Sequence, residues 1–493
     1  MRLHIVDGTI IVVYLVGITL FGLRFRKSQR SLRDYFLADR NIPWWAIALS
    51  IVAAETSTLT VISTPGMAYG GNFGFLQVVL GYLAGRVVIC LLFIPQYFRG
   101  EMFTAYQLID RRFGPRLHKI TAAVFLITRA AAEGVRVWAV AIVIGVALGT
   151  GEVWSVVIVL LLTLVYTFEG GLAAVIWTDV VQLLIYVGGT IVGFFILVHL
   201  VPGGWPAIHS AAAAAGKTQV FDFTFSLSKT FTFWAGLIGG MFLNTATHGT
   251  DQLMVQRLLA ARNKRDSQAA LLSSGLLILA QFTLFLIVGA ALWAFYRAYP
   301  PAAPFAKTDY IFPTFIVNQM PRGISGLLLA AILAAAMSNL SAALNSLSST
   351  SMVDFYLRKR PDTSDQKRLR LSRVTTIFWG VILFALALAS RYGGSVLEKG
   401  LSIASVAYGG LLGVFLLGLI TRRANENGAI IGMLCGLALN VYVWIWATAQ
   451  VAWTWYVTLG AITTFVVGYL ASLAIRKSQA LSSEQQIAEK QAH

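Results

Sequence analysis

Charge is scarce in this sequence. Asp, Glu, Lys and Arg make up 12% of its 493 residues, roughly half the ~25% usual in soluble domains. Cysteine is scarcer still: the two present, Cys90 and Cys435, both fall inside apolar runs, which reads as packing rather than as a disulfide pair. No Cys/His cluster has metal-ligand spacing, no glycine-rich loop follows a strand to cradle phosphate, and no nucleophile stands with a base. Enzyme chemistry is therefore not expected. Nor is a cleavable leader, because the first apolar run, Ile5 to Leu23, lacks a small-residue cleavage site and leads straight into basic residues.

What is abundant is apolar surface. Hydrophobic residues are 57% of the chain and the mean hydropathy is +0.73, so long apolar runs read as membrane-spanning helices. Thirteen such runs are expected, over 5–23, 42–69, 74–97, 119–149, 152–169, 172–201, 231–256, 267–297, 323–356, 371–391, 396–421, 427–448 and 452–475. The formal charge of +17 does not point to nucleic acid, because 27 of the 38 basic residues lie in alternate loops and the C-terminal tail. By the positive-inside rule those loops are cytoplasmic, which places the N-terminus outside and the C-terminus in the cytoplasm of a multi-pass plasma-membrane protein. Nothing in the pattern addresses oligomeric state.

Three spans are interrupted by polar residues: the second by "AAETSTLT", the seventh by "GLIGGMFLNTATHGTDQ" and the ninth by "AAAMSNLSAALNSLSST". Lipid-facing helices avoid such content, and it survives where it lines a cavity or packs within protein. Spans two and seven stand five apart and run in opposite directions, the spacing expected of two inverted halves whose broken helices meet at a central site. Helix–helix hydrogen bonding is the competing account of each cluster alone. Sodium, a hard cation, takes about five or six oxygen ligands. A break in span two would free carbonyls near Ala53 and Thr56, and span nine offers Ser338, Asn339 and Ser341.

The ionisable residues inside spans are Glu55, Arg86, Arg129, Glu133, Arg136, Asp179 and Asp251. Each costs at least ~2.5–3.5 kcal/mol at the bilayer centre, so each is a candidate for function. Arg129, Glu133 and Arg136 follow one another at i, i+4 and i+7, which favours an ion-paired stripe over a substrate contact. Asp251 reads as structural or gating, Asp179 is placed to reach a cation, and Glu55 sits in the interrupted segment itself. There it could attract a cation, meet substrate or pair with an arginine of the fourth span. A non-transporting sensor or a channel would be the alternative to a carrier, but the tail after Lys477 has no room for a kinase domain and the polar residues cluster instead of forming a continuous pore.

Four segments resemble the sodium:solute symporter family, which includes sodium-coupled sugar, sialate, proline, iodide and multivitamin carriers. "DYFLADRNIPWW" (Asp34 to Trp45) is similar to the approach to its first core helix, "GGLAAVIWTDVVQ" (Gly170 to Gln182) and "GTDQLMVQRLLAA" (Gly249 to Ala261) to its signatures, and "SNLSAALNSLSSTSMVDFY" (Ser338 to Tyr356) to its sodium-site helix. The resemblance implies an all-α membrane protein with a leucine-transporter-like, five-plus-five inverted-repeat core. One extra helix and a basic loop would occupy 1–41, the first repeat 42–201, an extracellular loop 202–230, the second repeat 231–425 with its cytoplasmic loop 358–373, two more helices 426–475 and a tail 476–493.

The same resemblance implies sodium symport of a small polar organic solute, a sugar, carboxylate or amino-acid-like molecule. The main sodium site would use the Ala53, Thr56 and Ala335 carbonyls with the Ser338 and Asn339 side chains. A second sodium, present in some members, would use Asp179, Ser338 and Ser341, with Ala342 where a further hydroxyl is expected. Glu55, Ser57, Thr60, Gln77, Asn244, His248 and Gln281 would line the substrate pocket, joined by Arg136 if it faces there. Proline carriers resemble the chain with an acid at position 55; the glutamate and tyrosine of sugar carriers fall on Val79 and Thr247.

Overall fold

The computed structural model describes residues 4–24, 38–99, 105–166, 172–357, 360, 362, 364–391 and 395–492, the last stretch from 476 by its backbone only. Among these residues the regular structure is helical, with one isolated bridge between Ile42 and Ala261. The principal helices are α1 (Ile5–Leu23), α2 (Trp44–Glu55), α3 (Thr58–Gly70), α4 (Leu76–Tyr97), α5 (Pro115–Leu148), α6 (Glu152–Tyr166), α7 (Leu172–Leu200), α8 (Gly204–Ala214), α9 (Gly240–Gly249) and α10 (Gln252–Leu259). They continue as α11 (Lys264–Ala298), α12 (Ile311–Gln319), α13 (Ile324–Thr350), α14 (Asp365–Ala389), α15 (Val396–Ile420), α16 (Glu426–Trp446) and α17 (Tyr456–Ala492).

Among the described residues eight single helices are long and apolar enough to cross a membrane, nine when α2 and α3, bent by 65° at their junction, count as one broken span. The other four expected spans are shorter or interrupted. They correspond to α1, α6, α9 with α10, and α14, whose first turns carry the basic residues of "DQKRLRLSR". Both cysteines are free; Cys90 is buried, whereas Cys435 lies on an exposed face and contributes no core packing.

Small residues set how closely the central helices approach, as they do where lipid supplies no hydrophobic drive. A Cβ on Gly81 of α4 would stand 2.8 Å from the Leu237 carbonyl oxygen and the Gly240 Cα, and closer still to the Gly236 carbonyl. The backbone leading into α9 therefore rests directly on α4. Polar pins fix other joints. Asp7 of α1 caps α13, its Oδ1 accepting from the Gly323 N–H at 2.7 Å and the Ser325 hydroxyl at 2.9 Å. Lys217, just after α8, donates to the Tyr69 carbonyl at 2.6 Å and so closes the end of α3. Burial lowers its pKa from the usual lysine value.

Candidate functional site

The helix break at Thr56–Ser57 is built by redirected backbone donors. In a continuous helix the Ser57 N–H would close on the Ala53 carbonyl and the Thr60 N–H on that of Thr56. Here Ser57 N–H donates to Glu55 O at 3.1 Å and Thr60 N–H to Ser57 O at 2.9 Å. Ser57 itself is extended, with φ −78° and ψ 172°. The two carbonyls nominated for sodium are thus those that lose their helical donors. The Thr60 hydroxyl turns back to Glu55 O at 3.3 Å, helping to hold the break.

A second break separates α9 from α10 at Thr250–Asp251. Asp251 caps α10, Oδ1 accepting from Leu253 N–H at 2.9 Å, while Oδ2 accepts from the Tyr408 hydroxyl at 2.9 Å. Arg129 Nη1 approaches the same carboxylate at 3.7 Å. The expected stripe on α5 is present, with Glu133 Oε1 2.9 Å from Arg129 and 2.7 Å from Arg136.

Glu55 faces neither Arg129 nor Arg136. Its Oε2 lies 2.5 Å from Arg86 Nη2 and 3.3 Å from His248 Nε2. Arg86, fully buried, is held in place by Ser274 Oγ at 3.2 Å and the Tyr82 carbonyl at 3.4 Å. The Asn244 amide lies 3.1 Å from His248 Nδ1; turned with its oxygen toward Arg86, it also accepts from Nη1 at 3.1 Å. Arg86, nearly three helical turns into α4, was visible as an intramembrane charge, but its pairing with Glu55 depends on α2 and α4 meeting.

The remaining nominated residues divide into separate groups. Thr56 Oγ1 donates to Gln281 Oε1 at 3.1 Å, with the buried Tyr186 hydroxyl beside them, a residue that sequence reasoning passed over. Gln77 is committed to the loop before α9: its amide donates to Phe231 O at 3.3 Å and its oxygen accepts from Asp222 N–H at 3.0 Å. Asp179 Oδ2 accepts from the Ser50 hydroxyl at 2.7 Å and from Arg257 Nη2 at 2.9 Å. Ser341 is buried on α13, and the Ser338 side chain lies outside the described residues.

Between α3, α5 and α13 lies a narrow cavity of about 10 Å³, room for about one water. Ser57, Glu133, Arg136 and Asn339 supply its polar lining, with Leu59 and Val137 among its apolar walls. Three nominated residues from three helices, Ser57, Arg136 and Asn339, therefore meet at one point beside the break. Arg136 keeps 32% of its side chain exposed even while paired with Glu133.

A multi-pass helical membrane protein with a core helix broken beside a polar cavity has the build of a carrier. The comparison with known proteins gives the family: the family model described as "Sodium:solute symporter family" matches residues 35–436. The chain belongs to the sodium:solute symporter family. It is a sodium-coupled solute symporter and not an enzyme. The sodium/sialic acid symporter NanT of Aliivibrio fischeri is 28% identical over 465 residues, covering 93% of this chain and 91% of the relative. The human sodium/iodide cotransporter is 28% identical, over 88% of this chain and 68% of its own length. A substrate-bound, outward-open Na+-coupled sialic acid symporter superposes with a TM-score of 0.83 at 26% identity, covering 95% of this chain and 98% of that one.

Proposed function

We propose that this symporter carries a small, hydroxylated solute bearing a carboxylate, and that the cavity between α3, α5 and α13 is its substrate site in a closed form. The observation that carries the reading is the convergence of Ser57, Arg136 and Asn339 there. A guanidinium suits a carboxylate, and hydroxyl and amide groups suit a polyol body. The relatives named for sialic acid support the same class. Glu55, Asn244 and His248 then act behind the site as a fixed ion network, with Thr60 and Gln281 bracing the break and Gln77 the loop.

For sodium, the proposed ligands are the Ala53, Thr56 and Ala335 carbonyls with the side chains of Ser338 and Asn339. The ion would tie the broken helix to α13, and rocking of the helical halves would expose sodium and solute to the cytoplasm. Each inward positive charge gains about 2.3 kcal/mol per 100 mV of membrane potential. The arrangement we adopt is thirteen crossings with a five-plus-five core and the domain limits given above, N-terminus outside, C-terminus inside, in the cytoplasmic membrane.

Uptake of radiolabelled sialic acid, glucose and iodide into proteoliposomes under an imposed sodium gradient tests this. Saturable sodium-driven uptake of sialic acid is expected, with Asn339→Ala raising the half-saturating sodium about tenfold, equivalent to the loss of about 1.4 kcal/mol of ligation. Transport of glucose instead, unaffected by Arg136→Gln, would rule out the carboxylate reading.

A further inference from the structure

We propose that Arg257 is the permanent counter-ion of Asp179, standing where a second sodium would bind, so that the carrier couples a single sodium ion. Asp179 is 4% exposed and Arg257 5%, so each needs a partner inside the protein. They have each other at 2.9 Å, and Ser50 closes the ring, donating to Asp179 Oδ2 at 2.7 Å and accepting from Arg257 Nε at 2.9 Å.

The guanidinium is not a loose side chain that a sodium ion could push aside. Its Nη1 donates to the Leu253 carbonyl at 2.8 Å, one turn back on α10. The start of that helix is in turn fixed by the Asp251 cap and the Tyr408 hydroxyl. A sodium on the same oxygen would set two unit cations against one carboxylate in a site of low dielectric, where like charges repel strongly. Ala342, one residue past the buried Ser341, adds no side-chain oxygen to offset that repulsion. The ring joins α2, α7 and α10, three elements distant in sequence, so its neutrality is a property of the fold and not of any one helix.

This inference rests on the main sodium site proposed above, and the experiment separates the two. Equilibrium binding of ²²Na+ to the purified full-length protein in detergent is read as ions bound per chain. One ion is expected for the wild type. The double variant Asp179→Asn/Arg257→Gln, which removes the pair as a neutral unit, should also bind one, with affinity within about threefold. Ser50→Ala, which keeps both charges, should behave likewise and serves if the double variant does not fold. Two ions on the wild type, or an affinity loss of tenfold or more in the double variant or in Ser50→Ala, would overturn the proposal. No saturable sodium at all would overturn the main-site reading and this one together.

Discussion

Replacing Glu55 by Gln tests the charged network behind the helix break most directly. The substitution keeps size and a hydrogen-bond acceptor but removes the negative charge 2.5 Å from a fully buried guanidinium. Arg86 would then face the new amide, Ser274, the Tyr82 carbonyl and the Asn244 amide, none of them charged. Stranding one member of a buried ion pair costs about 3–5 kcal/mol. The bare attraction sets a similar scale, about 4 kcal/mol for unit charges 4 Å apart at an effective dielectric of 20. Removing both charges with Glu55→Gln/Arg86→Gln should recover most of the loss, because a neutral pair no longer demands a counter-ion. The assay is chemical denaturation of the detergent-solubilised protein for wild type, both single variants and the double, read as a thermodynamic cycle. A coupling energy above about 2 kcal/mol is expected for residues in direct contact. If the two substitutions add independently, or Glu55→Gln costs less than about 1 kcal/mol, the carboxylate is not paired as described and the reasoning fails.

Two further outcomes follow from packing and from burial at the helix ends. Gly81→Ala would drive a methyl into the Gly236 and Leu237 carbonyls; a destabilisation of about 1–3 kcal/mol is expected, while Gly17→Ala, with nothing within 4 Å, should be tolerated in the same denaturation assay. Asp309, in the segment before α12, is buried, which pushes its carboxyl pKa up against hydrogen bonds from Ser63 at 2.5 Å and the Val396 N–H at 3.2 Å, and against the charges of Lys307 and Lys399. The folded protein therefore holds this proton at a pH where the unfolded chain, with its ordinary value of 3.8, has lost it. Asp309 thus contributes stability that is complete below the ordinary value and is lost as pH rises through the raised one. Asp309→Asn should flatten that part of the stability profile; an unchanged slope in a pH series of unfolding midpoints would refute it.

The sequence by itself determined the class of protein and much of its skeleton. Scarce charge and continuous apolar runs of about 20 residues point to helices in a bilayer, where backbone groups must be paired internally and barrel strands would show short alternating runs instead. The polar interruption at "AAETSTLT" also marked the break, since the hydroxyls and carbonyls it exposes have no place against lipid. Even the fate of Arg129, Glu133 and Arg136 was legible, as partners three and four residues apart on one helix meet by helical geometry alone. What only the tertiary structure decided is which distant charge answers which. Glu55 meets Arg86 and His248, Asp179 meets Arg257 and Ser50, and Arg257 meets Ser50, across separations of 31 to 207 residues. Each buried charge announces that a partner must exist. Its identity is settled by how glycine-lined helices such as α4 and the start of α9 close on one another, and no local period in the sequence encodes that approach.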